Sequence, residues 1–506
     1  MMTAEKLNYS KSLDELLSGL ANVKSSMVVT GVAIDSRQVR SGDLFMAYRG
    51  TEVNGVDYID HAIQAGAVAI VIDEDEKIDL QLISVDVFKI DNLRKQAGII
   101  ISRFYDEPSK QMEVIGVTGT NGKTTVSYMV AQVLFMLGKK SAVVGTIGNG
   151  PFGKVESANT TTPDPVKLHS LFSSWAGDID SVVMEVSSHA LDQGRVAGVE
   201  FNSAVFTNLS RDHLDYHKTF EDYADAKSQL FRLSCLKHAI VNIDDYYGLK
   251  LIDLLPIGIN IYAYSTKAKQ EDINRKNVSF VFCEKIEVDH LKTKLTIQSP
   301  WGQVTITTGL LGQFNIENIL AAYTSLCISD LSAEQVAEAL SKFNGVPGRM
   351  EYFSSQNDSN SKPLLIVDYA HTPDALEKVL TALRPYCKGK LFCIFGCGGD
   401  RDTGKRSQMG AIAEALSDQV VITNDNPRTE TEEKIVEDIL VGIKDKSKAT
   451  IKYDRSDAII NTFLNADKND VILIAGKGHE TTQQVGTMLL PFSDRELARR
   501  LTEGDS

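Results

Sequence analysis

At 506 residues the chain is too long for one ordinary hydrophobic core and points to about two to four domains. Its 43% hydrophobic and 24% charged residues are ordinary globular values, while 53 basic against 67 acidic side chains leave a formal charge of -14, which excludes a general affinity for nucleic acid or anionic membrane. No run approaches the roughly 18 apolar residues of a membrane span; the N-terminus carries acids and no apolar signal core, and the six cysteines lack any CxxC pair, so a cytoplasmic protein with reduced thiols, no zinc site and no disulfide frame is expected.

In chain order, VAIDSR, LFMAYRG and AVAIVI read as strands and DYIDHAIQAG as a helix, which makes a small α/β unit of residues 1–98. A second unit, 99–346, opens with the strand MEVIGV, turns through TGTNG and enters the helix KTTVSYMVAQVLFMLG before the strand SAVVGTIG. That is a βαβ unit of the nucleotide-binding kind. The polar stretch STKAKQEDINRKN, 265–277, reads as an exposed loop or hairpin end. In the third unit, 347–506, the apolar strands PLLIVDYA, LFCIFGCGG, QVVITNDN and VILIAGKG each end in a polar or glycine loop and are separated by helical stretches, as in a doubly wound parallel sheet. The expected fold is therefore α/β in three domains: a small α/β N-terminal domain, a central P-loop ATPase-type domain with a mostly parallel sheet, and a C-terminal Rossmann-like domain.

The strongest motif is GVTGTNGKTT, where a strand gives way to a helix N-terminus. Backbone N–H groups and the helix dipole there hold phosphates, Lys123 reaches their outer oxygens, and the Thr124 hydroxyl suits Mg²⁺. It departs from G-x-x-x-x-G-K-[ST] in having Val117 at the first glycine position. SVVMEVSSHALDQGR puts Glu185, Ser187, His189, Gln193 and Arg195 after another strand, and FTNLSRDHLDYH adds Asp212, His213, Asp215 and His217; carboxylate and imidazole at strand ends suit metal and phosphate chemistry. Lys227, by its surroundings alone, reads as an exposed helix lysine. In TNDNPRTE, a carboxylate and a guanidinium in one strand-end loop suit a zwitterion, with Arg428 forking a carboxylate, Asp425 taking an ammonium and Pro427 stiffening the turn.

GVTGTNGKTT, EVSSHAL, FTNLSRDHLDYH, YADAK, GQFNIEN, GRME, VDYAHTPDALE, FGCGGDRD, DNPR and AGKGHE, in that order, resemble the Mur ligases of peptidoglycan synthesis, and the likeness runs from DSR at 35 to AGKGHE at 475. The resemblance implies an ATP-dependent amide ligase that adds meso-2,6-diaminopimelate to UDP-N-acetylmuramoyl-L-alanyl-D-glutamate through an acyl phosphate, acting on small molecules as a monomer, without nucleic acid or membrane. It implies that Gly119, Thr120, Asn121, Gly122, Lys123, Thr124 and Thr125 hold ATP, with Asn315 and Asn318 at the adenine, Asp368 and His371 at the ribose and nucleotide, and Arg349 at phosphate. It further implies Mg²⁺ held by Thr124, Glu185, His213 and Lys227, the last as a carbamate, with Lys123, Glu185, His213 and Lys227 as the catalytic set. The UDP-sugar is expected at Ser36, Asn159, Thr160, Thr161, Ser187, Gln193 and Arg195. The amino acid is expected at Arg401, Asp425, Asn426, Pro427, Arg428, Gly476 and Glu480. A related ligase adding another amino acid, of the lysine-adding or folylpolyglutamate synthase type, stays open, and so, more distantly, does a P-loop switch NTPase. The loop at 425–428 speaks against the first, and the lack of an NKxD guanine-reading tetrapeptide against the second.

Overall fold

The apolar runs bury alternate side chains on opposite faces of three sheets, which is why they read as continuous. The computed structural model describes residues 9–23, 25–51, 53–158, 160–267, 277–289, 291–354 and 362–503. The expected loop at 265–277 lies outside them except for its first three residues and its last, and Asn159 lies outside them too.

The first sheet holds four parallel strands in sequence order, β1 (Gly31–Ala33), β2 (Asp43–Ala47), β3 (Ala69–Asp73) and β4 (Asp86–Ile90). Leu44, Met46 and Val71 pack on helix α2 (Leu93–Phe104), while Phe45, Ala47 and Ile70 pack on helix α1 (Ile59–Ala65). The strand expected over VAIDSR stops at Ala33. There the Asp35 carboxylate accepts from the Arg37 N–H and bends the chain into a short turn over Ser36–Gln38.

The second sheet is built on β5 (Glu113–Thr118), which leads into α3 (Lys123–Met136), then β6 (Ser141–Val144) and β7 (Asn149–Pro151), α4 (Pro165–Trp175), β8 (Ser181–Glu185), the short α5 (Ser188–Asp192) and β9 (Ser203–Phe206). After α6 (Phe220–Ser228) come β10 (His238–Asn242), β11 (Asn260–Ser265), β12 (Val278–Asp289), β13 (Lys292–Ser299) and β14 (Gly302–Thr308), and then α7 (Gln313–Ile328). The strand order is β14-β13-β12-β11-β10-β9-β5-β8-β6-β7, parallel from β12 through β6 and antiparallel at both edges. Ile115, Val117 and Val183 face α3 and α7, whereas Val114, Val182 and Met184 face α4. The β6 strand ends at Val144, short of SAVVGTIG, because Gly145 and Gly148 close a turn on each other's backbone.

The third sheet runs β15 (Glu351–Phe353), β16 (Leu364–Asp368), then β17 (Leu391–Phe395), β18 (Gln419–Ile422), β19 (Ala449–Ile451) and β20 (Val471–Ala475), with helices α8 (Pro373–Leu383), α9 (Gly404–Leu416), α10 (Glu432–Leu440), α11 (Arg455–Asn465) and α12 (Asp494–Glu503). Its order is β15-β16-β20-β17-β18-β19, parallel except for β15. Ile366, Phe395 and Leu473 face α8, α9 and α10, while Leu365, Ile394 and Ile472 face α11 and α12, the two-sided burial of a doubly wound sheet. The α/β class with a Rossmann-like third sheet is thus what the chain adopts. Among the described residues no helix is long and apolar enough to cross a membrane.

The third unit is braced from within by Arg455, fully buried against an equally buried Asp494, with Nε–Oδ1 and Nη2–Oδ2 both 2.8 Å. Its remaining donors reach the Asn424 carbonyl at 3.2 Å and the Ala475 carbonyl at 2.9 Å, tying together the ends of β18 and β20. Arg455→Ala strands a buried carboxylate and is expected to cost about 3–5 kcal/mol, read as an earlier urea unfolding transition by circular dichroism. Replacing both partners by Met and Leu should recover most of that loss.

Candidate active site

Between β5 and α3 the chain makes a tight loop that only glycine can close at its first position. Gly119 has φ +143°, and a methyl there would lie 2.0 Å from the Thr207 hydroxyl. The loop is held from the end of β9: Thr120 N–H donates to Asn208 O at 2.8 Å, Asn121 N–H to Asn208 Oδ1 at 3.0 Å, and Thr207 Oγ1 to Asn121 O at 2.6 Å. Helix α3 starts at Lys123 with no side-chain cap on its first turn. Its free N–H groups and dipole therefore point at the loop, the arrangement that holds phosphate. Asn318 reaches the same loop from α7, with its Oδ1 facing Gly122, and its Nδ2 donates to Asn315 Oδ1 at 3.1 Å.

Lys227 is not an exposed helix lysine. It is 2% exposed, on the inner face of α6, and its ammonium donates to the Gly119 carbonyl at 2.8 Å while lying 4.4 Å from the centre of the Tyr223 ring. Lys123 donates to the same Gly119 carbonyl at 2.9 Å and to Thr120 O at 2.8 Å. Two amines thus share one acceptor. Burial, reinforced by Lys123, pushes the Lys227 pKa well below the lysine range, and burial lowers that of Lys123 as well.

Glu185, buried at the end of β8, accepts from Thr146 N–H at 2.7 Å, Thr124 Oγ1 at 2.9 Å and Thr146 Oγ1 at 3.1 Å. Thr124 Oγ1 also receives Arg349 Nη2 at 3.2 Å, so an arginine from the junction before β15 touches the phosphate loop's own helix. The Arg349 guanidinium lies 4.5 Å over the Tyr369 ring, and its Nε is buried without a partner among the described residues. His213 packs edge-on against His189 at 4.8 Å, and burial lowers its pKa. His189, also against Tyr216, is pushed down to about 4 by burial and its imidazole neighbours.

Of the residues expected to meet the sugar nucleotide, Thr161 Oγ1 lies 3.1 Å from Thr146 Oγ1, Thr160 is exposed, and Ser187 caps α5. Arg195 donates twice to Gln193 Oε1, at 2.9 and 2.6 Å, and once to Thr162 O at 3.1 Å. Ser36 is buried in its turn, and no hydrogen bond among the described residues links it to this group. Asp368 has each oxygen engaged by a backbone N–H, Met350 and Ala370, both at 2.7 Å, so it clamps the junction to the end of β16. His371 is exposed beside Tyr369, at a ring distance of 4.7 Å.

At the edge of the third sheet the loops after β17, β18 and β20 meet. Gly399 is required there, since any side chain would lie 1.9 Å from the Pro427 carbonyl. Asp425 is buried next to Gly476, and burial raises its pKa. Asn426 donates to Glu480 at 3.0 Å and accepts from the fully buried Lys477 at 3.0 Å. Burial alone would raise the Glu480 pKa, but Lys477 at 2.8 Å brings it below the usual value. Arg428, at φ +53°, donates to Gly399 O at 2.8 Å, and both it and the exposed Arg401 lie close to Gly398. Helix α10 begins only at Glu432, so Asn424 and Asp425 do not cap it. Lys477, Tyr369, Thr146 and Asn208 were not singled out from the sequence, although Lys477 sits in AGKGHE, Tyr369 in VDYAHTPDALE and Asn208 in FTNLSRDHLDYH.

Among the described residues no group of three or more His, Cys, Asp and Glu side chains is placed to hold a metal ion. The Thr124 hydroxyl and Glu185 carboxylate nevertheless fit a hard cation: the hydrogen bonds recorded to Glu185's carboxylate come from neutral N–H and O–H groups. Lys227 as an ammonium does not fit one.

The chain matches three family models in sequence order: the Mur ligase family catalytic domain over 28–105, the Mur ligase middle domain over 117–326 and the Mur ligase glutamate ligase domain over 348–478. It is similar to the UDP-N-acetylmuramoyl-L-alanyl-D-glutamate–2,6-diaminopimelate ligase of Coxiella burnetii, 44% identical over 490 residues covering 96% of this chain and 99% of the relative. The Pseudomonas putida protein of the same name is 41% identical over 475 residues, covering 94% and 95%. A solved structure of a ligase so named matches with a TM-score of 0.71 and 32% identity over 97% of this chain and 99% of its own. The Mycobacterium tuberculosis folylpolyglutamate synthase solved with ADP and AMPPCP shares the fold, with a TM-score of 0.60 and 18% identity over 76% and 92%.

Lys227→Met removes one of two crowded amines and is expected to raise stability in buffer depleted of carbon dioxide, since an apolar side chain suits the site. Because the Lys227 pKa is depressed on folding, the unfolded wild type binds more protons, and wild-type stability climbs as pH rises towards the ordinary lysine value of 10.5. The advantage of the variant should therefore be largest near neutral pH and shrink towards pH 10.5, as read by denaturant unfolding across that range.

Proposed function

The chain belongs to the Mur ligase family, and from that premise we propose that it is an ATP-dependent ligase that joins meso-2,6-diaminopimelate to UDP-N-acetylmuramoyl-L-alanyl-D-glutamate in peptidoglycan synthesis. The observation that carries the reading is the Arg349 contact with Thr124, which sets the strand-end loops of the third unit against the phosphate loop of the second. A phosphate donor and an amine donor held by different units can then meet at one place.

A carboxylate is a poor electrophile. Transfer of the γ-phosphoryl group of ATP to one of its oxygens breaks the bond to ADP and leaves an acyl phosphate. The amine then attacks the acyl carbon, phosphate departs with the carbon–oxygen electron pair, and the nitrogen loses its proton as the amide forms. The protein's part is mostly positioning and charge neutralisation. Gly119 to Thr125 cradle the phosphates, and Lys123 exchanges its two loop carbonyls for phosphate oxygens. Arg349, held over Tyr369, faces the charge that builds on the transferring group. Asn315 and Asn318 take the adenine side, and Asp368 and His371 bring the third unit to the nucleotide.

Mg²⁺, when bound, neutralises the triphosphate, and Thr124 and Glu185 would hold it. For a second ion the ligands would be His213 and Lys227 as a carbamate. The buried, shared-acceptor position of Lys227, which lowers its pKa, supports this: an amine that gives up its proton adds to carbon dioxide and loses a second proton to solvent, and the carbamate anion so formed would turn repulsion with Lys123 into attraction. The sugar nucleotide lies along Ser36, Asn159, Thr160, Thr161, Ser187, Gln193 and Arg195.

Diaminopimelate carries a second amino-acid centre at its far end, whereas lysine has only an ammonium there. Arg428, with Arg401 near the same Gly398, serves that distal carboxylate, and Asp425 beside Gly476, with Asn426 and Glu480, serves the ammonium. Pro427 fixes the turn. The test is ATP turnover that requires both the UDP-muramyl dipeptide and diaminopimelate, with the tripeptide product seen by mass spectrometry.

Lys123→Ala should abolish turnover while dipeptide affinity stays within a few-fold, measured by calorimetry. Arg428→Ala removes charge-assisted hydrogen bonds of about 1.5–3 kcal/mol, roughly 10- to 100-fold in kcat/KM for diaminopimelate. Lysine should be a very poor wild-type substrate, and the variant should narrow the gap between the two amino acids; an unchanged ratio would mean that Arg428 only supports the loop.

A further inference from the structure

Asp374 opens α8, just after Pro373 and the capping Thr372. Its Oδ2 accepts three hydrogen bonds, all at 2.9 Å: from Asn121 Nδ2 in the phosphate loop, from Ser210 Oγ beyond the end of β9, and from Lys378 Nζ one turn further along α8. Two of these donors belong to the second unit and one to the third. The backbone of Asn121 is already fixed by Asn208 and Thr207, so its side chain is the part of the loop that reaches across to the third unit. Towards the other end of α8, Ala382 lies against Gly312, so close that a methyl on that glycine would stand 2.9 Å away. The helix is thus seated on the second unit near both ends, and the chain continues from it through a short turn at Arg384–Tyr386 into β17 and the 396–401 loop.

We infer that Asp374 is a positioning residue that docks the amino-acid-binding unit on the phosphate loop, in the register that brings amine and activated carboxylate together. It touches neither reacting group and acts through Asn121 and Ser210. Lys378 pairs with the same carboxylate from one turn further along α8, and the contact adds to the Arg349–Thr124 link between the two strand-end edges. The inference rests on the reading of residues 119–125 as the phosphate cradle and of the third unit as the amino-acid site.

The experiment uses the full-length enzyme with Asp374→Ala, Asp374→Asn and Ser210→Ala, alone and combined. Asp374→Ala is expected to lose roughly tenfold in kcat, the scale of one charge-assisted hydrogen bond. Its affinity for a non-hydrolysable ATP analogue measured without amino acid, and its thermal midpoint, should stay close to wild type. Asp374→Asn keeps an acceptor oxygen and should lose less. Ser210→Ala should cost less again, and adding it to Asp374→Ala should cost almost nothing more, because both remove the same bond. Wild-type kcat in Asp374→Ala, or a Ser210→Ala loss that simply multiplies with it, would overturn the inference while leaving the ligase reading intact. Parallel losses of nucleotide affinity and thermal midpoint would also overturn it, in favour of a purely structural role. A wild type that does not couple ATP cleavage to amide formation would remove both.

Discussion

The site depends on one backbone crossing. Gly348, in the junction between the second and third units, lies so close to Gly478 that any side chain on it would overlap the Gly478 carbonyl carbon at 2.2 Å. That crossing lets Met350 N–H reach Asp368 and sends Arg349 back to Thr124 across the face of Tyr369. Parallel sheets present their functional loops at the carboxyl ends of their strands. Two such edges are useful to a two-step reaction only if they face one another, and the Arg349–Thr124 and Asp374–Asn121 contacts join them.

Electrostatics then divides the site. The chain as a whole is strongly acidic, with a formal charge of -14, yet Lys123, Lys227 and Arg349 gather around the phosphate loop. Cationic charge that is scarce overall and concentrated here suits an anionic nucleotide without making the surface sticky to nucleic acid. Crowding has a consequence of its own, since two amines share one carbonyl, and burial together with Lys123 pushes the Lys227 pKa well below the lysine range. In the third unit the same principle runs in reverse. Buried Lys477 and Arg455 hold Asn426, Glu480 and the β18 and β20 ends in place, which leaves Arg428 and Arg401 on the accessible side.

Much of this was legible in the sequence wherever an apolar strand ended in a polar or glycine loop. The loops after β5, β8, β9 and β18 carry residues that stand out by type and position, because strand, turn and helix signals are local, while the residues named after β16, β17 and β20 come from the family resemblance. Burial was not legible in the same way: Lys227 lies in a polar helix, YADAK, whose inner face is decided by Tyr223 and the phosphate loop more than a hundred residues away in sequence. Asp368 stands in VDYAHTPDALE, where the resemblance implies a nucleotide contact; that its two oxygens also take the Met350 and Ala370 N–H groups depends on the junction folding back beside β16. Contacts between units, such as Asp374 with Asn121, leave no periodic trace at all.

An amide made through a phosphorylated carboxylate at the two facing edges leaves an isotopic trace. The direct measurement supplies UDP-muramyl dipeptide labelled with oxygen-18 in its glutamyl carboxylates, together with ATP and diaminopimelate, and reads the released phosphate by mass spectrometry. Phosphate carrying one labelled oxygen for each amide formed is the predicted result, because the carboxylate oxygen that takes the phosphoryl group leaves with it. Unlabelled phosphate alongside normal tripeptide formation would contradict the account.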